Sequence, residues 1–106
     1  FFALSRRPMI VINTARGPIV SEAALCEAYR SGRVSGVGLD VLETEPMAAS
    51  SALACLVRDS PDAGRDILVT PHSAFFSPQA YHELRSKAAE NVRRCLVDGT
   101  HRNVVN

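Results

Sequence analysis

Three short apolar runs, residues 9–13 (MIVIN), 34–41 (VSGVGLDV) and 66–70 (DILVT), alternate with stretches of helical periodicity, and this alternation leaves few architectures open. The first run follows Pro8 and stops at the polar pair Asn13-Thr14, which suits a strand buried on both faces. Arg16-Gly17-Pro18 then turns the chain. Ser21 is a good N-cap, and Ala24, Leu25, Ala28 and Tyr29 share a helical face until Gly32 offers a stop. In the second run Gly36 and Gly38 permit close approach of a neighbouring element or ligand. Residues 47–65, rich in Ala, Ser and Pro, read as a loop with room for a helical turn or two over 50–57. Pro71 ends the third run. Ser77-Pro78 caps and opens a last helix, in which Tyr81, Leu84, Ala88, Val92 and Cys95 form a core-facing stripe, running to about Asp98 before Gly99. The pattern predicts an α/β unit: a parallel sheet covered by helices.

Composition narrows the function classes. Basic and acidic residues nearly balance (net charge +1) and are scattered, so no polyanion-binding surface is expected, and the pairs Arg6-Arg7 and Arg93-Arg94 read as solvated. Cys26, Cys55 and Cys95 form no CxxC pair, which argues against a disulfide framework or a metal site and for a reducing, cytoplasmic setting. Cys26 and Cys95 read as small packing residues. No apolar stretch approaches the length of a membrane span. Phe1-Phe2-Ala3-Leu4 reads as the last turns of a helix.

Ligands of parallel sheets gather outside the carboxyl ends of the strands, so the residues just after each run matter most. They are Asn13-Thr14-Ala15-Arg16-Gly17, then Asp40-Val41-Leu42-Glu43-Thr44-Glu45-Pro46, then Pro71-His72-Ser73-Ala74-Phe75. An Arg, carboxylates and a His would thus converge on one edge. That set suits hydride transfer at a carbon bearing oxygen beside a carboxylate. A guanidinium grips carboxylate and carbonyl oxygens in a planar, two-point fashion and polarises the carbonyl. An imidazole exchanges the proton that accompanies the hydride, and a neighbouring carboxylate orients it and favours its protonated form. The hydride itself requires a nicotinamide, since no side chain supplies one.

The segments VINTARGPIVSEAAL (residues 11–25), GVGLDVLETEP (36–46) and ILVTPHSAFFS (67–77) resemble, in order, the consecutive signatures of the D-isomer-specific 2-hydroxyacid dehydrogenase family. The resemblance implies a partial Rossmann-like doubly wound sheet, with residues 1–98 forming the C-terminal part of a dinucleotide-binding domain and 99–106 a tail. It implies NAD as cofactor, a small 2-hydroxy or 2-keto acid as substrate, no nucleic acid or membrane partner, and a homodimer for the whole protein. Carried over by motif, Arg16 would bind substrate, Glu45 would partner the histidine, and His72 would exchange the proton. Thr14, Ala15, Arg16, Asp40, His72, Ser73, Ala74 and Phe75 match positions at the nicotinamide end of the cofactor, with Asp40 reading the carboxamide. Glu43 does not match the catalytic carboxylate. PHSAFFSPQAYHELR resembles most the branch of the C-terminal-binding proteins, NAD-binding transcriptional corepressors that have PHAAWYS, with Trp where this chain has Phe75; nuclear residence would go with that branch.

Blander readings stand beside these: a surface ion pair for Arg16, strand termination for Glu45, a turn cap for Asp40, and for His72 the ordinary loop role of His82 and His101. A GxGxxG phosphate loop is absent, because Gly32, Gly36 and Gly38 have the wrong spacing and fall before and within a strand. The isolated chain is therefore expected to bind NAD weakly or not at all, to show no dehydrogenase activity, and to self-associate through an unpaired sheet edge. A dehydrogenase segment, an NAD-sensing corepressor-like scaffold and a remnant that only packs against another chain all remain open.

Overall fold

A computed structural model describes residues 1–60 and 62–104, in two units, Phe1–Ala74 and Phe75–Asn106. In the first unit, β1 (Met9–Asn13), β2 (Val34–Leu39) and β3 (Ile67–Val69) form a parallel sheet in the order β1-β2-β3. Asn13 lies opposite Leu39, and Leu39 opposite Val69, so the three carboxyl ends share one edge. An irregularity where Met9 pairs with Val34 but Ile10 with Gly36 lets Val34 and Val37 both turn inward.

Helix α1 (Glu22–Arg30) starts where the Ser21 hydroxyl accepts the Ala24 N–H, and Gly32, at φ +72°, marks its end. Its inward residues are Leu25, Cys26 and Ala28; Ala24, expected on that face, is exposed. Residues 47–65, expected to be a loop, hold α2 (Ala52–Asp59) and the short α3 (Ala63–Asp66). Ser51 caps α2 by accepting the Ala54 N–H at 3.1 Å, and Leu53 and Leu56, one turn apart, are fully buried in the core. The Ala- and Ser-rich composition hid two core leucines at helical spacing.

The expectation of strands buried on both faces is corrected. Ile10 and Ile12 are 70% and 72% exposed, and Leu68 is exposed as well, while Val37, Leu39 and Ile67 are buried against Leu25, Leu53 and Leu56. Within this unit α1 and α2 share a single core cluster with one sheet face. On the other face Gly36 and Gly38 carry no side chain, and Ile10 and Ile12 lie over them: a Cβ on Gly36 would come within 3.3 Å of the Ile10 side chain. An unbroken apolar run is compatible with one covered face or two. Strands β2 and β3 are shorter than expected, and Phe2–Leu4 makes a single 3₁₀ turn.

The second unit holds α4 (Pro78–Arg93), capped by the Ser77 hydroxyl and continued by a wider π-type turn over Arg94–Asp98 that stops at Gly99, φ +62°. No residue of α4 is buried: the stripe expected to face a core is exposed at Tyr81, Leu84 and Val92, and so is Cys95. The flanks of the stripe carry ion pairs, Lys87 with Glu83 and both Arg93 and Arg94 with Glu90, so Arg93-Arg94 is engaged rather than merely solvated.

Candidate functional site

The carboxyl edge of the sheet is organised by side chains that bind backbone. At the end of β1, buried Asn13 accepts the Ala15 N–H and donates to the Arg16 carbonyl at 2.9 Å, folding the loop that carries Thr14, Ala15 and Arg16. The Arg16 guanidinium is exposed and donates to the Ala15 carbonyl at 2.7 Å.

At the end of β2, buried Asp40 holds the loop that follows β3. Its Oδ1 accepts the Thr70 hydroxyl at 2.5 Å and the Ser73 N–H at 2.8 Å, and its Oδ2 accepts the Ala74 N–H at 2.8 Å. Thr70 above all, then these N–H groups, hold Asp40 below the ordinary carboxylate value despite its burial. Its backbone carbonyl also accepts the His72 N–H at 2.9 Å. His72 adopts φ +52°, a left-handed conformation uncommon for a residue with a side chain, and these bonds fix it there.

The outcome is a direct pair: His72 Nδ1 lies 2.8 Å from Glu45 Oε2. Glu45 Oε1 accepts the Leu42 N–H at 3.0 Å. The His72 hydrogen bond first, and the Leu42 N–H second, lower the Glu45 carboxyl below its ordinary value. An ionised carboxylate only accepts, so Nδ1 is the protonated nitrogen of the pair and Nε2 is left for other partners. Both residues line a cavity of about 560 Å³, together with Asp40, Leu42, Pro46, Met47, Val69, Thr70 and Pro71.

The structure thus brings Glu45, His72 and Asp40 to one cavity, and sets Ser73 and Ala74 against Asp40. Arg16 makes no hydrogen bond or ion pair with Glu45 or His72, nor is Arg16 among the residues lining the cavity. Phe75 belongs to the second unit, where its ring meets Phe76 edge-on. Glu43, set aside from the sequence, bonds the backbone of Glu22, an interaction that no spacing in the sequence announces. Asn13 and Thr70 are further participants missed at that level; the one legible hint is a polar residue at the tip of each apolar run. Among the described residues no group of three His, Cys, Asp or Glu side chains is placed to hold a metal ion, and no helix is long and apolar enough to cross a membrane.

The cavity sets apolar walls, Leu42, Pro46, Met47 and Val69, beside polar groups on one rim. Three of roughly four acceptor positions on Asp40 are taken, which leaves one on Oδ2 for an amide donor.

The sequence matches the model of a family described as "D-isomer specific 2-hydroxyacid dehydrogenase, NAD binding domain" over residues 1–74. The chain is similar to the glycerate dehydrogenase of Methylorubrum extorquens, 39% identical over 100 residues, which cover 94% of this chain and 30% of that protein. Among solved structures it is similar to a glyoxylate reductase from Paecilomyes thermophila, with a TM-score of 0.77 and 28% identity over 95% of this chain and 28% of that one. It is also similar to a D-isomer specific 2-hydroxyacid dehydrogenase from Xanthobacter autotrophicus Py2 in complex with NADPH and MES, with a TM-score of 0.71 and 36% identity over 99% of this chain and 39% of that one. The chain therefore spans about 30% of the length of the curated relative. With more than half of its residues under that model, and with the parallel sheet and the edge already described, the chain belongs to the D-isomer specific 2-hydroxyacid dehydrogenase family and carries sequence of its NAD binding domain.

Proposed function

We propose that the protein carrying this chain transfers a hydride between NAD(H) and a small D-2-hydroxy or 2-keto acid, with His72 and Glu45 as its acid-base pair and Arg16 as its substrate-binding residue. The observation that carries the reading is the 2.8 Å contact between His72 Nδ1 and Glu45 Oε2 on the rim of a cavity at the strand ends. When bound, the nicotinamide supplies or accepts the hydride. Glu45 fixes the tautomer and orientation of the imidazole, so that Nε2 gives a proton to the carbonyl oxygen in reduction and takes it back in oxidation. Arg16 binds the substrate carboxylate in a two-point grip and polarises the carbonyl, once its guanidinium leaves the Ala15 carbonyl. The remaining acceptor position of Asp40 would accept from the carboxamide, and Thr14 and Ala15 would contact the nicotinamide end of the cofactor. Ser73 and Ala74 contribute through groups other than their N–H, which Asp40 occupies. A cytoplasmic homodimer is the setting that fits the family.

The test is turnover of glyoxylate, pyruvate and phosphohydroxypyruvate with NADH by the protein that carries this chain. His72→Ala is expected to lower kcat/KM about 10²- to 10⁴-fold, the usual contribution of a positioned acid-base group. NADH binding with no turnover of any of these acids would favour the corepressor-like scaffold instead. The 106-residue chain alone has no GxGxxG loop, so fluorescence titration is expected to find NADH binding weaker than micromolar.

A further inference from the structure

Two carboxylates that the proposed chemistry does not use face each other across the loops that follow β1 and β2. Glu43 Oε2 accepts the backbone N–H of Glu22 at 3.0 Å, and Glu22 Oε1 accepts the backbone N–H of Glu43 at 3.0 Å. Glu22 is the first residue of α1, whose N–H groups have no partner within the helix, and its side chain is buried although charged. An anion at a helix start is favoured by the exposed N–H groups and the helix dipole. Burying a carboxylate costs stability unless its oxygens find donors, and here each acid supplies the other's backbone with an acceptor and receives a donor in return.

The clasp has a second anchor. Gly17 sits so close to the backbone of residue 42 that a Cβ on it would fall 1.7 Å from the Leu42 carbonyl oxygen, so only glycine allows the two loops to meet there. Residues 42 and 43 are therefore pinned by Gly17 and Glu22, both in the stretch that follows Arg16. From the pinned segment the Leu42 N–H reaches Glu45 Oε1, and Glu45 Oε2 reaches His72.

We propose that Glu22 and Glu43 are positioning residues, which lock the loop carrying Arg16 to the loop carrying Glu45 and so keep the Glu45 carboxylate aligned with His72 Nδ1. The inference rests on the assignment of Arg16, Glu45 and His72 above. It assigns neither acid a contact with substrate or cofactor. Removal of either acceptor breaks one of the two bonds that hold residue 43 to α1, the turn over 42–45 loosens, and the imidazole loses its fixed partner while the core residues Leu25, Leu53 and Leu56 stay packed.

The experiment is NMR of the 106-residue chain with labelled histidine, with the His72 ring signal assigned by its disappearance in His72→Gln. In the native chain a pattern of labelled ring-nitrogen shifts that marks a single tautomer protonated at Nδ1 is expected. Glu43→Ala should abolish it, and Glu43→Gln, which keeps an acceptor oxygen, should restore it, with the Leu53 and Leu56 methyl signals unchanged in both. A pattern unaltered in a folded Glu43→Ala overturns the proposal. If the alanine variant does not fold, the unmodified chain decides by amide exchange. The Glu22 and Glu43 N–H groups should exchange with one common opening, each slowed about 10- to 100-fold relative to an unprotected loop, as a hydrogen bond to a charged acceptor gives. Unprotected exchange at either position overturns it. Failure of the activity assignment would look different: full turnover by His72→Ala, with this shift pattern and these exchange rates as expected in the native chain.

Discussion

The two units of the chain are built on opposite terms. Phe1–Ala74 buries a contiguous set of apolar side chains from three helices and two strands, whereas α4 in Phe75–Asn106 has an apolar stripe of correct periodicity and buries none of it. Helical spacing alone does not make a core; a second surface must be present to receive the stripe. The first unit spends its polar side chains on backbone, as Asn13, Asp40, Glu22, Glu43 and Glu45 do. The second spends its charges on one another along an exposed helix, where Arg93 and then Arg94 push the Glu90 carboxyl down to about 2.

The sharpest way to break this contrast is truncation of one leucine in each unit. Leu53→Ala, at a fully buried site, is expected to cost about 2–5 kcal/mol by chemical denaturation. Leu84→Ala, at a site 64% exposed, should stay within about 0.5 kcal/mol. Comparable costs at the two positions would mean that the stripe of α4 is covered in solution.

Acid offers a smaller and more selective probe. Asp40 and Glu45 titrate below their ordinary values in the folded chain, so the folded form binds fewer protons than the unfolded one. Their stabilisation is complete above the ordinary carboxylate range, about pH 4, and is lost as pH falls through the lowered values. Protection of the Ser73 and Ala74 amides, which Asp40 holds, measured against their intrinsic exchange rates at each pH, should therefore fall as pH drops below about 4. The arginine pairs of Glu90 should persist to about pH 2, because its carboxyl stays ionised to that point. Constant protection at Ser73 and Ala74 down to pH 2 would remove Asp40 from its place as organiser of the His72 loop.

Much of the local structure in both units was legible as sequence. The three apolar runs are strands in parallel, Ser21 and Ser77 are caps, and Gly32 and Gly99 sit at positive φ where helices stop. What escaped has physical causes. Helix α2 lay in an Ala- and Ser-rich stretch whose two buried leucines are too few to show a period. The one-sided burial of β1 escaped because an unbroken apolar run does not say how many of its faces are covered. Glu45 and His72 stood out as chemistry-bearing types at strand ends. The Glu22–Glu43 clasp and the three bonds of Asp40 did not, because a side chain that binds backbone across two loops leaves no spacing to read. Arg16 is the instructive intermediate: it stands on the expected edge, yet with its guanidinium folded onto its own loop.

That position makes Arg16 the most exposed part of the account, and a crystal structure of the protein carrying this chain, with NADH and oxamate, examines it directly. The expected result is an inhibitor carboxylate held by two Arg16 nitrogens, its carbonyl oxygen within hydrogen-bond reach of His72 Nε2, and the Arg16 bond to the Ala15 carbonyl broken. Oxamate bound without Arg16, or with His72 Nε2 turned away from its carbonyl, would contradict a single site built from residues 16, 45 and 72.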